Sequence, residues 1–273
     1  MIEFFGEMFS YHFMIRAMTV GVLVSLCAAL LGVSLVLKRF SMIGDGLSHV
    51  GFGALAIAAA LGLAPLAVSV PVVILAAFLL LRVSQSSRIK GDAAIAIISS
   101  SALAIGVAVV SLTTGMNTDV SNYMFGSILS LNKADAALSI ALSAAVLVMF
   151  ILLYPRIFAV TFDESFTRAT GTDTGRYNSI IAVLTAVTVV IGMRMMGALL
   201  ISSLIIFPAL SAMRICRSFK SVVWCAAIIS VVCFIVGMIC SYALELPSGA
   251  SVVIINLIVF GCLYLVSAIK HRA

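Results

Sequence analysis

Long apolar runs alternate with short polar segments along almost the whole chain. Nine runs approach the roughly 20 residues that a helix needs to cross the hydrocarbon core of a bilayer. They lie at residues 13–37, 46–64, 66–83, 93–115, 134–154, 178–193, 196–213, 221–243 and 249–269. The runs are continuously apolar and do not alternate, which favours helices over a membrane β-barrel. The pattern therefore predicts an all-α, polytopic membrane protein.

Two boundaries between these runs are weak. Only Pro65 separates the second run from the third, and only Met193-Arg194-Met195 separates the sixth from the seventh. Eight spans are therefore an alternative to nine. The polar segments are short except at residues 115–127 and 155–177, and none is long enough to link separate domains. At residues 115–127 we expect a short interfacial helix or a re-entrant segment. We expect one transmembrane domain over residues 1–273.

Composition agrees with this class of protein. The chain has 273 residues, of which 63% are hydrophobic and 10% charged, and its mean hydropathy is +1.28. A soluble domain of this size does not have such a composition. The net charge is +6, but no basic patch is interleaved with aromatic residues, so we expect a lipid bilayer and no nucleic acid as a partner.

Basic residues indicate the orientation in the membrane. Of the 16 basic residues, 13 follow the odd-numbered spans and therefore lie on one side of a nine-span arrangement. By the positive-inside rule, that side is the cytoplasm, so the N-terminus is expected outside and the C-terminus inside. The 13 residues are Lys38, Arg39, Arg82, Arg88, Lys90, Arg156, Arg168, Arg176, Arg214, Arg217, Lys220, Lys270 and Arg272.

An acid and an imidazole stand four residues apart where the second span begins. Asp45 and His49 would share one face of a helix and could direct an oxygen and a nitrogen toward one divalent metal ion. An ionisable residue within a membrane span is costly and is a functional candidate by default. The alternative is that Asp45 is only a helix N-cap and that His49 packs against a neighbour.

The cytoplasmic segment at residues 162–171 predicts a short surface helix. Acidic residues occupy a first turn, Phe166 and Ala169 are spaced for one face, and Gly171 suits a C-cap. Such a helix could contact a partner, although a solvated loop is the alternative. The segment consists of Phe162, Asp163, Glu164, Ser165, Phe166, Thr167, Arg168, Ala169, Thr170 and Gly171.

Two further positions are unusual for membrane helices. Pro208 lies within a span, where it removes a backbone donor and leaves a carbonyl in need of another partner, as in helices that line a pathway. Glu245 precedes Pro247 and Gly249 in the last outer turn. A plain turn explains the proline and the glycine, whereas Glu245 could face the entry of a metal ion.

Three stretches together resemble the permease subunits of zinc, manganese and iron ABC importers, the ABC-3 family. They are residues 38–49, 197–209 and 246–250, and the resemblance extends over nearly the whole chain. It implies a type II ABC importer-like permease in the bacterial plasma membrane. It also implies a homodimer, a separate ATP-binding subunit and an extracytoplasmic metal-binding protein that delivers the ion. Asp45 and His49 match the family's metal-binding Asp and His, and residues 162–171 match its ATPase-coupling helix.

The chain itself lacks a phosphate-binding loop of the G-x-x-x-x-G-K-[ST] type, so by that route it cannot hydrolyse ATP. We therefore expect a transport subunit and not an enzyme, with no bound cofactor and a divalent metal as substrate. A secondary metal/proton transporter, with Asp45 exchanging a proton, is the competing class. It would have no use for a docking helix at residues 162–171, and we find no inverted repeat to support it.

The donor types favour zinc among the possible metals. Two protomers would supply two carboxylates and two imidazoles, which is enough for a tetrahedral zinc site, whereas manganese prefers more oxygen donors. Manganese and iron remain alternatives, because the Asp/His pattern is common to all three kinds of importer in the family. Whether both pairs form one site or two is left open by the sequence.

Overall fold

A computed structural model describes residues 11–85, 91–113 and 133–270. These residues form ten α-helices and no strand, so the predicted all-α class is confirmed. The expected interfacial segment at residues 115–127 lies outside the described residues. The helices are α1 (His12–Leu37), α2 (Ile43–Ala60), α3 (Pro65–Gln85), α4 (Gly91–Leu112), α5 (Lys133–Phe162), α6 (Glu164–Ala169), α7 (Thr174–Met196), α8 (Ala198–Ile215), α9 (Phe219–Leu244) and α10 (Ser248–Lys270).

Each of the nine predicted spans corresponds to one helix. Among the described residues, eight helices are long and apolar enough to cross a membrane, and Leu200–Ile215 of α8 forms a shorter apolar helix. The eight candidate spans do not arise from a merger of the sixth and seventh runs. Helices α7 and α8 are separate, and α8, with 18 residues, is as long as α2.

Backbone geometry explains both weak boundaries. Gly62 has a φ of 67° between α2 and α3, and Gly197 has a φ of 87° between α7 and α8. Both values lie in the left-handed half of the map, where glycine has no steric penalty. A side chain at Gly192, near the end of α7, would lie 2.4 Å from the Ile201 side chain of α8. The two helices therefore form a hairpin whose turn, at Gly197, is buried.

The core of the bundle surrounds α1, which packs against α5, α7, α8 and α9. Helix α2 packs against α3, α4, α7 and α8. Most of α1, α2 and α7 is buried, whereas less than a third of α4, α5 and α10 is buried, as expected for helices that face lipid. The helix that carries Asp45 and His49, α2, is therefore among the most buried of the described candidate spans.

Side-chain contacts define two ends of the bundle. At one end, which we call the basic end, Lys38 pairs with Glu164, and Phe158 stacks with Phe219. At the opposite end, which we call the far end, Asp135 at the start of α5 pairs with Arg194 near the end of α7. Helix α8 returns the chain to the basic end, because α9 begins there. The chain thus reverses direction along α8, as nine spans require.

Candidate functional site

The Asp45 and His49 side chains lie side by side at the start of α2. The helix begins at Ile43, and its N-cap, Met42, makes no side-chain capping bond. Asp45 is therefore the third residue of the helix, and the alternative that it acts as the N-cap is wrong. Its Oδ2 lies 3.7 Å from the Nε2 of His49.

This separation suits two ligands of one cation better than a direct hydrogen bond. It exceeds hydrogen-bonding distance, while two ligands about 2.1 Å from a tetrahedral zinc ion stand roughly 3.4 Å apart. The Asp45 side chain is 37% exposed and the His49 side chain 22% exposed. Within the described ranges, no three His, Cys, Asp or Glu side chains come together in a metal-binding group. In the described part of one chain, Asp45 and His49 thus offer two donors, which is half of a tetrahedral set.

Glycines hold α2 tightly against its neighbours. A side chain at Gly46 would lie 2.7 Å from Ile95 of α4, one at Gly53 would lie 2.7 Å from the Ala102 carbonyl, and one at Gly44 would lie 2.7 Å from Ile205 of α8. These close approaches leave no room for larger residues, so the glycines serve packing. They fix the position of the helix from which the Asp45 and His49 side chains extend.

Pro208 lies inside α8 without ending the helix. It is buried, and it cannot donate to the carbonyl of Leu204, four residues earlier. Ser211, three residues later, is also buried, and its hydroxyl makes no hydrogen bond within the described residues. This part of α8 thus contains polar groups in an apolar interior, and a role of Pro208 in a transport pathway stays a prediction.

Glu245 lies at the far end of the bundle, remote from the start of α2. It is the C-cap residue of α9, with φ 52° and ψ 35° in the left-handed region, and it is exposed. The backbone N–H of Leu246 donates to the Ser241 carbonyl at 3.1 Å, which closes the helix end. The structure therefore does not bring Glu245 together with Asp45 and His49, and a role at the metal entry stays a prediction.

The segment predicted to contact a partner contains a short helix, α6. Phe162 ends α5, and Asp163 caps α6 by accepting a hydrogen bond from the Phe166 N–H at 2.8 Å. Gly171 follows the helix with a φ of 83°, so the predicted glycine stop is confirmed. Phe162 and Phe166 are 74% and 67% exposed, whereas Thr167 is buried. The Phe162 ring at the end of α5 and the Phe166 ring of α6 are thus exposed side by side in the sequence segment, whereas Thr167 of α6 is buried.

Two ion pairs at opposite ends of the bundle were not predicted. At the far end, Arg194 Nη2 lies 2.6 Å from Asp135 Oδ2. At the basic end, Lys38 Nζ lies 3.3 Å from Glu164 Oε2, and it also donates to the Asn178 side-chain oxygen. Arg194 is not one of the 13 basic residues on the predicted cytoplasmic side. Its position between two apolar runs was the one indication in the sequence that its charge needs a partner.

Burial changes the acid–base properties of the pair at the basic end. Burial lowers the pKa of the Lys38 ammonium, and the Glu164 carboxylate acts against this change. Burial raises the pKa of Glu164, but a hydrogen bond from Asn178 and the positive charge of Lys38 together bring it below its ordinary value. Glu164 therefore remains ionised at neutral pH and stays a partner of Lys38.

Comparisons with known proteins agree along almost the full length of the chain. The family model described as the ABC 3 transport family matches residues 10–269. The manganese transport system membrane protein MntC of Halalkalibacterium halodurans is 26% identical over 264 residues, which are 97% of this chain and 90% of that protein. The high-affinity zinc uptake system membrane protein ZnuB of Haemophilus influenzae is 30% identical over 250 residues, which are 92% of this chain and 96% of that protein.

A solved structure shares the same fold. It is that of PsaBC from Streptococcus pneumoniae in complex with a Fab, and one of its chains superposes with a TM-score of 0.87 at 27% identity. The match covers 97% of this chain and 95% of that chain. The arrangement of helices described above is thus that of an ABC importer permease.

Proposed function

The chain belongs to the ABC 3 transport family and is a metal ABC transporter permease, and from that premise we propose that it imports divalent metal ions, zinc in particular, through Asp45 and His49. The observation that carries this proposal is the adjacency of a carboxylate and an imidazole on a tightly packed helix. Both side chains remain accessible. An acid within an apolar span is otherwise costly.

A second copy of the chain would complete the donor set. Two donors from each copy make two oxygens and two nitrogens, which match a tetrahedral zinc site. The choice of zinc is also supported by the relative ZnuB, which is named for zinc uptake. Manganese is the second candidate, because relatives such as MntC are named for manganese transport. The metal is the transported substrate, so its affinity must still allow release.

Other features of the chain support a proposed role for each remaining part of the importer. Helix α6, with the exposed Phe166 ring and the Phe162 ring just before it, would dock on a separate ATP-binding subunit that supplies the energy. The basic end would face the cytoplasm of a bacterial cell, which places the N-terminus outside and the C-terminus inside. Glu245 would then lie near the entry, where an extracytoplasmic metal-binding protein delivers the ion. The whole chain would act as one permease domain.

Membership of an ABC transport family argues against the alternative of a proton-driven metal carrier. A carrier would use Asp45 as its proton site and would need no ATP-binding partner. The exposed Phe162 and Phe166 rings next to a capped helix would also have no purpose in such a protein. Apolar rings exposed at the end of a bundle indicate a contact surface.

Growth under metal limitation tests the proposed substrate. The gene is expressed with its ATP-binding and metal-binding partners in a strain that lacks high-affinity zinc and manganese uptake, and chelator is added. We expect zinc to restore growth and to accumulate in the cells. Rescue and accumulation with manganese but not with zinc would reverse the metal assignment. The Asp45→Ala variant, produced at equal membrane abundance, is the control for use of the proposed site.

A further inference from the structure

Lys38 joins three helices at one point of the basic end. It follows the last residue of α1, pairs with Glu164 of α6 at 3.3 Å, and donates to Asn178 of α7. We propose that Lys38 is a positioning residue that transmits the movement of α6 to the start of α2, where Asp45 and His49 lie. This inference rests on the proposed function of α6 as the docking helix.

The turn between Lys38 and α2 is hydrogen-bonded at almost every step. The backbone N–H of Phe40 donates to the Leu35 carbonyl at 2.8 Å, and that of Ile43 donates to the Phe40 carbonyl at 3.1 Å. Arg39 between them has a φ of 62°, the left-handed conformation that ends a helix in a Schellman motif. Because this turn is held by hydrogen bonds, a displacement of Lys38 would also displace the start of α2.

Burial makes the Lys38–Glu164 contact different from the Arg168–Glu164 ion pair of α6. Only 10% of the Lys38 side chain is exposed, and Asn178 is buried. Arg168 also contacts Glu164, at 3.2 Å, but it is 71% exposed and lies on the same short helix. Exposed pairs of that kind contribute little, whereas a charge-assisted bond shielded from water is strong. Arg168 thus provides a matched control that touches the same carboxylate without reaching α1.

The contact also joins the parts that must move together. Glu164 is the first residue of α6, which carries the exposed Phe166 ring. Asn178 is in the first turns of α7, the helix that ends at the buried turn Gly197. Lys38 therefore links the docking helix to both arms of the core, α1 with α2 and α7 with α8. A salt bridge that only stabilised α6 would not need a buried partner on α7.

The test measures coupling in the complete complex of permease, ATP-binding subunit and metal-binding protein in proteoliposomes. The readout is the amount of zinc taken up per ATP hydrolysed for Lys38→Met, Glu164→Gln and Arg168→Gln. We expect the ratio to fall about tenfold in the first two variants, which is the order expected for loss of one charge-assisted hydrogen bond. ATP hydrolysis should continue, and Arg168→Gln should keep the ratio of the unaltered complex.

A charge exchange separates transmission from simple loss of stability. Asn178 can turn its amide to donate instead of accept, so the double variant Lys38→Glu with Glu164→Lys can rebuild the contact and should recover most of the lost ratio. An unchanged ratio in Glu164→Gln and in Lys38→Met would overturn the inference, and Glu164→Gln alone decides if Lys38→Met does not assemble. If the unaltered complex shows no ATP-dependent uptake, the proposed function itself fails.

Discussion

At the scale of single residues, the proposed metal-binding chemistry lies in the first two turns of α2. Asp45 and His49 present two donor atoms 3.7 Å apart, on a helix whose glycines bring the neighbouring helices within contact distance. Residues that bind a cation must be held in place by well-packed elements. The close packing of α2 would provide that support, and a pair of donors on one chain is the reason why we propose that a second copy completes the site.

Replacing either donor should weaken metal binding in the purified permease. We expect Asp45→Asn and His49→Gln each to lower zinc affinity by at least about 100-fold, because loss even of an outer-shell partner costs 10–100-fold. Titration calorimetry measures the affinity, and Asp173→Asn at the exposed start of α7 is the control. Wild-type affinity in both variants would remove Asp45 and His49 from the site.

Glu164 should make the folded protein sensitive to acid. Its pKa is lower in the folded chain than the ordinary 4.5, so it contributes stability above that value and loses the contribution as the pH falls through the lower, folded pKa. Lys38 stays protonated in this window in both states and adds no pH dependence. Thermal unfolding in detergent should therefore lose stability below pH 4.5 more steeply in the wild type than in Glu164→Gln. Equal slopes would show that Glu164 is not stabilised by Lys38 and Asn178.

At the scale of secondary-structure elements, α6 and the α7–α8 hairpin are the two unusual parts. Helix α6 is six residues long and depends on its Asp163 cap and its contacts with the bundle, because a helix of this length is not stable alone. The hairpin reverses at Gly197 inside the bundle, so its free backbone groups must find partners there. The Asp163 cap and the Gly197 turn therefore determine the form of these two elements more than the hydrophobic pattern does.

The two sides of α6 should react differently in cross-linking experiments. Cysteine at Ser165, which is exposed, should cross-link to the ATP-binding subunit in the assembled complex, whereas cysteine at Thr167 should not, because Thr167 is buried and its hydroxyl bonds to the Asp163 carbonyl. Mass spectrometry identifies the linked peptides. A cross-link from Thr167 but not from Ser165 would mean that the outward face is assigned wrongly.

Gly197 should tolerate no side chain. Its φ of 87° and ψ of 159° lie in a region that is essentially restricted to glycine, and a non-glycine residue there costs about 1–3 kcal/mol. We expect Gly197→Ala to lower the thermal unfolding temperature in detergent. Gly261→Ala in α10, where a side chain would meet open space, is the matched control and should leave that temperature unchanged or raise it. The opposite order would contradict the buried turn.

At the scale of the whole molecule, local patterns predicted more than long-range contacts. Each of the nine apolar runs became a helix because the bilayer requires backbone hydrogen bonds within each segment. The Asp45–His49 pair was predictable because a helix places residues four apart side by side. The Lys38–Glu164 and Asp135–Arg194 pairs join residues 126 and 59 positions apart, and no periodicity in the sequence relates them.

The packing of α2 and of α6 adds two details that the sequence pattern does not contain. The glycines at 44, 46 and 53 bring α2 into close contact with Ile205, Ile95 and Ala102, respectively. Thr167 was indistinguishable from Ser165 in a polar segment, but it faces inward. The donors of a second copy, by contrast, depend on assembly and cannot follow from the fold of one chain.

The most direct test of the central claim is ATP-driven zinc uptake by the complete complex in proteoliposomes. We expect zinc to enter only with ATP and with the ATP-binding and metal-binding partners, and we expect Asp45→Ala to abolish this uptake. Uptake by the permease alone, driven by a proton gradient and independent of ATP, would contradict it.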